Sequence, residues 1–135
     1  MGDLERLVQA GSVRLRGDGI VHFVCRDGAE LNEENTLELF ATYRQVGGDA
    51  PLLVLSDIRG LRSSTPESRA LATTPEATAL HQAVAVIVGS SITRMMGNLF
   101  MRLNRPAYPT RLFNDADAAV EWLLELADTG RAEAG

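Results

Sequence analysis

Lysine is missing from this 135-residue chain: all thirteen basic residues are arginine. That removes every lysine-dependent chemistry, Schiff bases and the phosphate-loop lysine included. It reads as codon bias in a GC-rich genome rather than as a demand for guanidinium groups. Cysteine is almost missing too, and the single Cys25 excludes an internal disulfide and suits a reducing cytoplasm. The two histidines, His22 and His81, show no HxxxH, HExxH or CxxC spacing, so each reads as structural and no metal site is legible. No apolar run approaches the ~20 residues of a membrane-spanning helix. The opening "MGDLERLVQAG" has neither the basic nor the apolar region of a signal peptide. Positive charge is in deficit as well, and a net charge of −5 argues against a general nucleic-acid binder.

What remains is the composition of a globular protein, 45% apolar and 23% charged, long enough for one domain with one core. Residues 1–11 read as a lead-in, with Leu4 to Ala10 a short helix or a loose segment. Residues 12–128 read as the domain and 129–135 as a frayed tail. "SVRLRGDGIVHFVC" alternates and turns at Gly-Asp-Gly, which predicts an antiparallel hairpin with a half-buried edge strand and a more buried second strand. Four strand-helix units then follow from Ile20. "NEENTLELFATYRQVGG" is a helix with Asn32 as its cap, and "LLVLSD" is a strand covered on both sides. "TPE" occurs twice, at Thr65 and at Thr74, each a hydroxyl cap with proline at the first helical position. Two short helices, or one kinked at Pro75, are expected there. "AVAVIVGS" and "TRLFND" are strands, and "SITRMMGNLFMRLNRP" and "DADAAVEWLLELAD" are helices. The alternation predicts an α/β domain with a mostly parallel sheet of about five strands and one antiparallel strand in front.

In an open sheet of this kind, ligands gather at the carboxyl ends of the strands. The candidate site there comprises Asp57, Arg59, Ser63, Ser64 and Thr65 from one loop, with Ser90, Ser91 and Arg94 from another. Asp57 is expected to hold the amides of Gly60 or Leu61. "VGSS", at Val88 to Ser91, opens a helix whose amides suit an anion, with Arg94 one turn on. Each feature also has a plain structural reading, as a loop anchor or a helix cap. "GDG" at Gly17 to Gly19 lies inside a hairpin and is a turn, not a dinucleotide loop. Cys25 lies in an apolar strand with no base beside it and reads as an inert thiol. No cofactor fingerprint and no catalytic residue emerges.

The stretch from Ala83 to Leu123 resembles small, largely uncharacterised bacterial proteins of the STAS/SEC14-like class, which share the fold of the anti-sigma-factor antagonists. The resemblance rests on the strand ending in Ser, the "N-x-F" helix ending in Asn-Arg-Pro, "YPTRLF" and "A-x-x-W-L". It extends back to about Ile20. The antagonists carry Asp-Ser-Ser/Thr-Gly at the start of their second helix, with a serine that a partner kinase phosphorylates. Aligned from Asp57, the acceptor positions fall on Pro66 and Glu67. The resemblance therefore implies the fold without the phosphorylation switch.

The reading that follows is a non-enzymatic, cytoplasmic regulatory or protein-interaction module, working as a homodimer without a cofactor. Its alternative is a carrier of a small apolar molecule or lipid, which the SEC14-like half of the resemblance implies. Such a carrier needs a cavity of roughly 300 Å³, lined by Leu99, Phe100, Met101 and Leu103. Helical spacing puts Ile92, Met95, Met96, Leu99, Phe100 and Leu103 on one apolar face that the sheet should bury. Gly97, Met101 and Arg105 then face outward as the expected dimer contact.

Overall fold

The computed structural model describes residues 5–134; residues 1–4 of the expected lead-in and residue 135 of the tail lie outside it. The first described segment is neither helix nor loose. It is a strand, β1 (Glu5–Val8), paired antiparallel with β2 (Gly11–Leu15), which in turn pairs antiparallel with β3 (Val21–Cys25). β2, expected at the edge, is therefore an inner strand, and β1 takes the edge instead. A Cβ at Gly11 would lie 2.0 Å from the Val24 carbonyl oxygen, so only glycine lets β2 start this close to β3.

From β3 onward all pairing in the main sheet is parallel, through β5 (Leu52–Asp57), β7 (His81–Ile87) and β8 (Thr110–Phe113). The main sheet has six strands in the order β1-β2-β3-β5-β7-β8. Two short strands, β4 (Glu30–Leu31) and β6 (Ser63–Ser64), form a separate parallel bridge. The helices are α1 (Glu33–Gly47), α2 (Pro66–Leu71), α3 (Pro75–Leu80), α4 (Ser91–Leu103) and α5 (Ala116–Ala134). Both "TPE" segments open separate helices, with the Ser68 amide donating to Thr65 Oγ1 and the Ala77 amide to Thr74 Oγ1. Asn32 caps α1 reciprocally with Asn35. α5 continues past Thr129, where the sequence reading ends it.

Alternation along the strands separates two cores. Val13, Val21, Phe23, Leu52 and Val54 face Leu39, Tyr43 and Val46 of α1 and Leu80 of α3. Leu53, Leu55, Ala83, Ala85 and Ile87 face Ala119 and Leu123 of α5. Each fully buried Leu, Val or Phe contributes about 1.5–3 kcal/mol relative to leaving it exposed, so both layers are held by ordinary apolar burial.

The orientation of α4 overturns the sequence expectation. Its contact with the sheet is made by small residues: Thr93 and Gly97 are buried, and a Cβ at Gly97 would meet Leu112 Cδ1 at 3.0 Å. Met96 and Phe100 are half-buried, but Ile92, Met95, Leu99 and Leu103 are exposed. The apolar face was expected to lie on the sheet and instead lies mostly in solvent. Gly97 therefore has no outer surface to offer, Met101 is half-buried, and only Arg105 of the expected dimer contact is exposed. The physical reason is thickness: Thr93 and Gly97, one turn apart, allow a close approach that the longer side chains of the apolar stripe would prevent.

Candidate functional site

The loop after β5 is held from within. Asp57 is buried, and its carboxylate accepts from the Arg59 amide at 3.1 Å and from Arg59 Nε and Nη2 at 2.9 and 2.7 Å. Burial pushes the Asp57 carboxyl up, but these Arg59 hydrogen bonds and the guanidinium charge outweigh it and hold the group below its ordinary value. Arg59, rather than Gly60 or Leu61, is thus its donor; the Leu61 amide donates to the Ile58 carbonyl. The neighbouring hydroxyls are engaged as well. Ser63 donates to Glu30 Oε2, Ser64 Oγ accepts from Arg69 Nη1, and Thr65 Oγ1 caps α2.

The start of α4 is equally self-contained. The Gly89 and Ser90 amides both donate to Thr93 Oγ1, and the Thr93 amide donates to Ser90 Oγ. Three amides that could face an anion at this helix start are thus bound within the turn, two by Thr93 Oγ1 and one by Ser90 Oγ. Ser91 and Arg94 are exposed on the outer side. The structure thus brings Asp57 and Arg59 into one ion pair, and it joins neither of them to Ser90, Ser91 or Arg94 through a hydrogen bond among the described residues.

Nucleophilic chemistry has little to work with here. Burial pushes the Cys25 thiol up to about 11, far from the thiolate range. His22 is held below its ordinary value first by burial and then by Arg14 and Arg16, and its Nδ1 is buried without a hydrogen-bond partner. Among the described residues no three His, Cys, Asp or Glu side chains stand close enough to hold a metal ion. None of the described helices is long and apolar enough to cross a membrane.

Two features that the sequence reading misplaced are more distinctive. The first is the exposed stripe on α4. Ile92, Met95, Leu99 and Leu103 are 60%, 64%, 43% and 67% exposed, and these four are a majority of the large exposed hydrophobics among the described residues. They recur at spacings of three, four and four, and Arg94 and Arg102 lie alongside, both exposed. The second is a cavity of about 170 Å³ between the sheet and helices α1, α2 and α4. Five of the chain's seven aromatic residues line it: Phe23, Phe40, Tyr43, Phe100 and Tyr108. Around its wall the His81 ring stacks on Tyr108 at 4.6 Å and meets Phe40 edge-on at 5.4 Å. Of the four residues expected to line a carrier cavity, Phe100 does; Leu99, Met101 and Leu103 do not. The stripe was legible as helical periodicity, though its direction was not. The cavity walls come from five separate stretches of chain, and nothing in the local sequence brings them together.

No curated protein matches this chain in sequence. In structure it is similar to a protein from Shewanella loihica PV-4, described as an uncharacterized protein of the DUF3478 family with a SpoIIAA-like fold. The two share 15% identity with a TM-score of 0.54, over 90% of this chain and 92% of that one. At that identity the likeness shows the fold alone, and the fold is that of the anti-sigma-factor antagonists, as the resemblance implied. A family profile described as "Domain of unknown function (DUF7793)" matches residues 13–127, and the chain belongs to that family.

Proposed function

We propose that this chain is a non-enzymatic, cytoplasmic interaction module that docks an acidic amphipathic segment of another protein on the outer face of α4. One observation carries the reading: an uncovered stripe of Ile92, Met95, Leu99 and Leu103 on a helix whose charged neighbours are all arginine. No Asp or Glu occurs between Glu76 and Asp115, while that stretch holds Arg94, Arg102, Arg105 and Arg111. An apolar strip about 20 Å long, from thirteen residues at 1.5 Å each, matches the helix-in-groove scale of recognition. Methionine in such a strip adapts to the partner's shape, and the arginines select acids at its edge.

The exposed side chains argue against the other two occupants. A symmetric pair of α4 helices would crowd the arginines of both copies around one seam, with no acid from either helix to answer them. A bilayer would favour exposed aromatic anchors, yet the exposed stripe has none and Phe100 lines the cavity instead. The resemblance to the antagonists, whose serine a partner kinase phosphorylates, agrees with a protein partner. A lipid carrier is not favoured, because about 170 Å³ is well under the roughly 300 Å³ expected of such a site.

Fluorescence anisotropy with two synthetic amphipathic helices, one with glutamates and one with arginines flanking a leucine strip, tests this. The acidic peptide should bind at least tenfold more tightly, and Met95→Glu/Leu99→Glu should abolish binding while leaving the circular dichroism unchanged. Equal affinity for both peptides would overturn the reading. So would binding to phosphatidylglycerol vesicles in preference to the peptide, or a wild-type dimer in light scattering that the double variant dissolves.

A further inference from the structure

We infer that the aromatic-lined cavity is a binding site for a small carboxylic acid with a compact ring-sized apolar body, held by Arg69. The inference is independent of what docks on α4. Size limits the ligand first. A cavity of about 170 Å³ is close to the roughly 150 Å³ that accommodates a single benzene molecule in a protein interior, so one ring fits and a lipid tail does not.

Polarity limits it next. Several of the polar groups around the wall are already paired with one another or with the backbone. Thr36 Oγ1 and Ser68 Oγ lie 2.6 Å apart, Tyr108 Oη donates to the Ala72 carbonyl at 2.8 Å, and the His81 Nδ1–H donates to the Ala77 carbonyl at 2.8 Å. Burial lowers the His81 pKa to about 4, so this ring is uncharged at neutral pH. The wall is chiefly apolar, so a ring-sized apolar body is matched to it. Phe40, Tyr43 and Tyr108 offer ring faces and edges to such a body.

Arg69 supplies the remaining specificity. It lies in the cavity wall, and its Nη1 donates to the Ser64 carbonyl at 2.7 Å and to Ser64 Oγ at 3.0 Å. Those bonds fix the guanidinium without neutralising it, since no carboxylate lies within ion-pair distance of it among the described residues. A planar guanidinium anchored through Nη1 keeps the Nε and Nη2 donors, the pair suited to grip a carboxylate. A fixed positive charge at the edge of an otherwise apolar hollow selects a ligand with one acid and one ring.

Benzoate, toluene and inorganic phosphate are the probes, followed through the side-chain NMR signals of Phe40, Tyr43 and Tyr108. Benzoate should give saturable shifts at these rings, toluene weaker ones and phosphate none. Arg69→Met should weaken benzoate at least tenfold while changing toluene less than twofold, and Val84→Phe, which fills the hollow from β7, should abolish both. Benzoate affinity that survives Arg69→Met would overturn the inference, as would toluene binding as tightly as benzoate. Absence of saturable shifts at the three rings with any probe would overturn it equally.

Discussion

His81 shows how much one side chain can be asked to do in this chain. It caps α3, begins β7, stacks on Tyr108 and meets Phe40 edge-on, and its exposure is only 6%. Burial lowers its pKa to about 4, against 6.5 for the ordinary group. Because the folded state disfavours the proton, stability is fully present above the unfolded value of 6.5. It is lost progressively as pH falls from 6.5 through about 4, and the dependence flattens below that. A shift of this size corresponds to about 3 kcal/mol at its limit. Urea denaturation at pH 7 and pH 4.5 should show the loss, and His81→Phe, which keeps a ring in the stack, should remove most of it. His22, whose pKa is also lowered by burial, accounts for part of the fall that remains. A variant with the same acid sensitivity as wild type would rule His81 out as the source.

At the scale of elements, what could be read from sequence was local and what could not was relative. Caps were legible because they need only three or four neighbouring residues: Asn32, Thr65 and Thr74 all cap where their spacing predicts, and of the two serines of "VGSS" it is Ser90 that caps α4. Thr65→Ala should accordingly cost about 1 kcal/mol in urea denaturation, and a neutral result would mean that the Ser68 amide finds another acceptor. β1 escaped because "ERLV" is short, mostly exposed and without alternation; it is a strand only because β2 offers it an edge. α4 was recognised as a helix and given the wrong inward face. The rule that an apolar stripe faces the core assumes that burial alone decides, whereas here the small pair Thr93 and Gly97 decides which side can come close. The candidate loop was found, but not its internal bonding. That Asp57 would take Arg59, two residues on, rather than a turning amide depends on a guanidinium reaching back, which spacing alone does not reveal.

For the whole molecule, the uneven covering of the sheet matters most. Four helices pack on one face and α5 alone on the other, where Ala83, Ala85 and Ala119 let it lie close. Among the described residues the two cores form separate clusters on opposite faces of the strands. Free energies of substitution should therefore be separable: Leu39→Ala, facing α1's side of the sheet, and Leu123→Ala, facing the other, should each cost about 2–5 kcal/mol. If the strands behave as a stiff partition, the double variant should lose the sum of the two within about 0.5 kcal/mol, measured by urea denaturation. A shortfall or excess beyond that would mean that the sheet transmits strain from one side to the other. With additivity, the α5 side becomes a place where stability can be tuned by mutation without altering the aromatic hollow or the outer stripe of α4 on the opposite face.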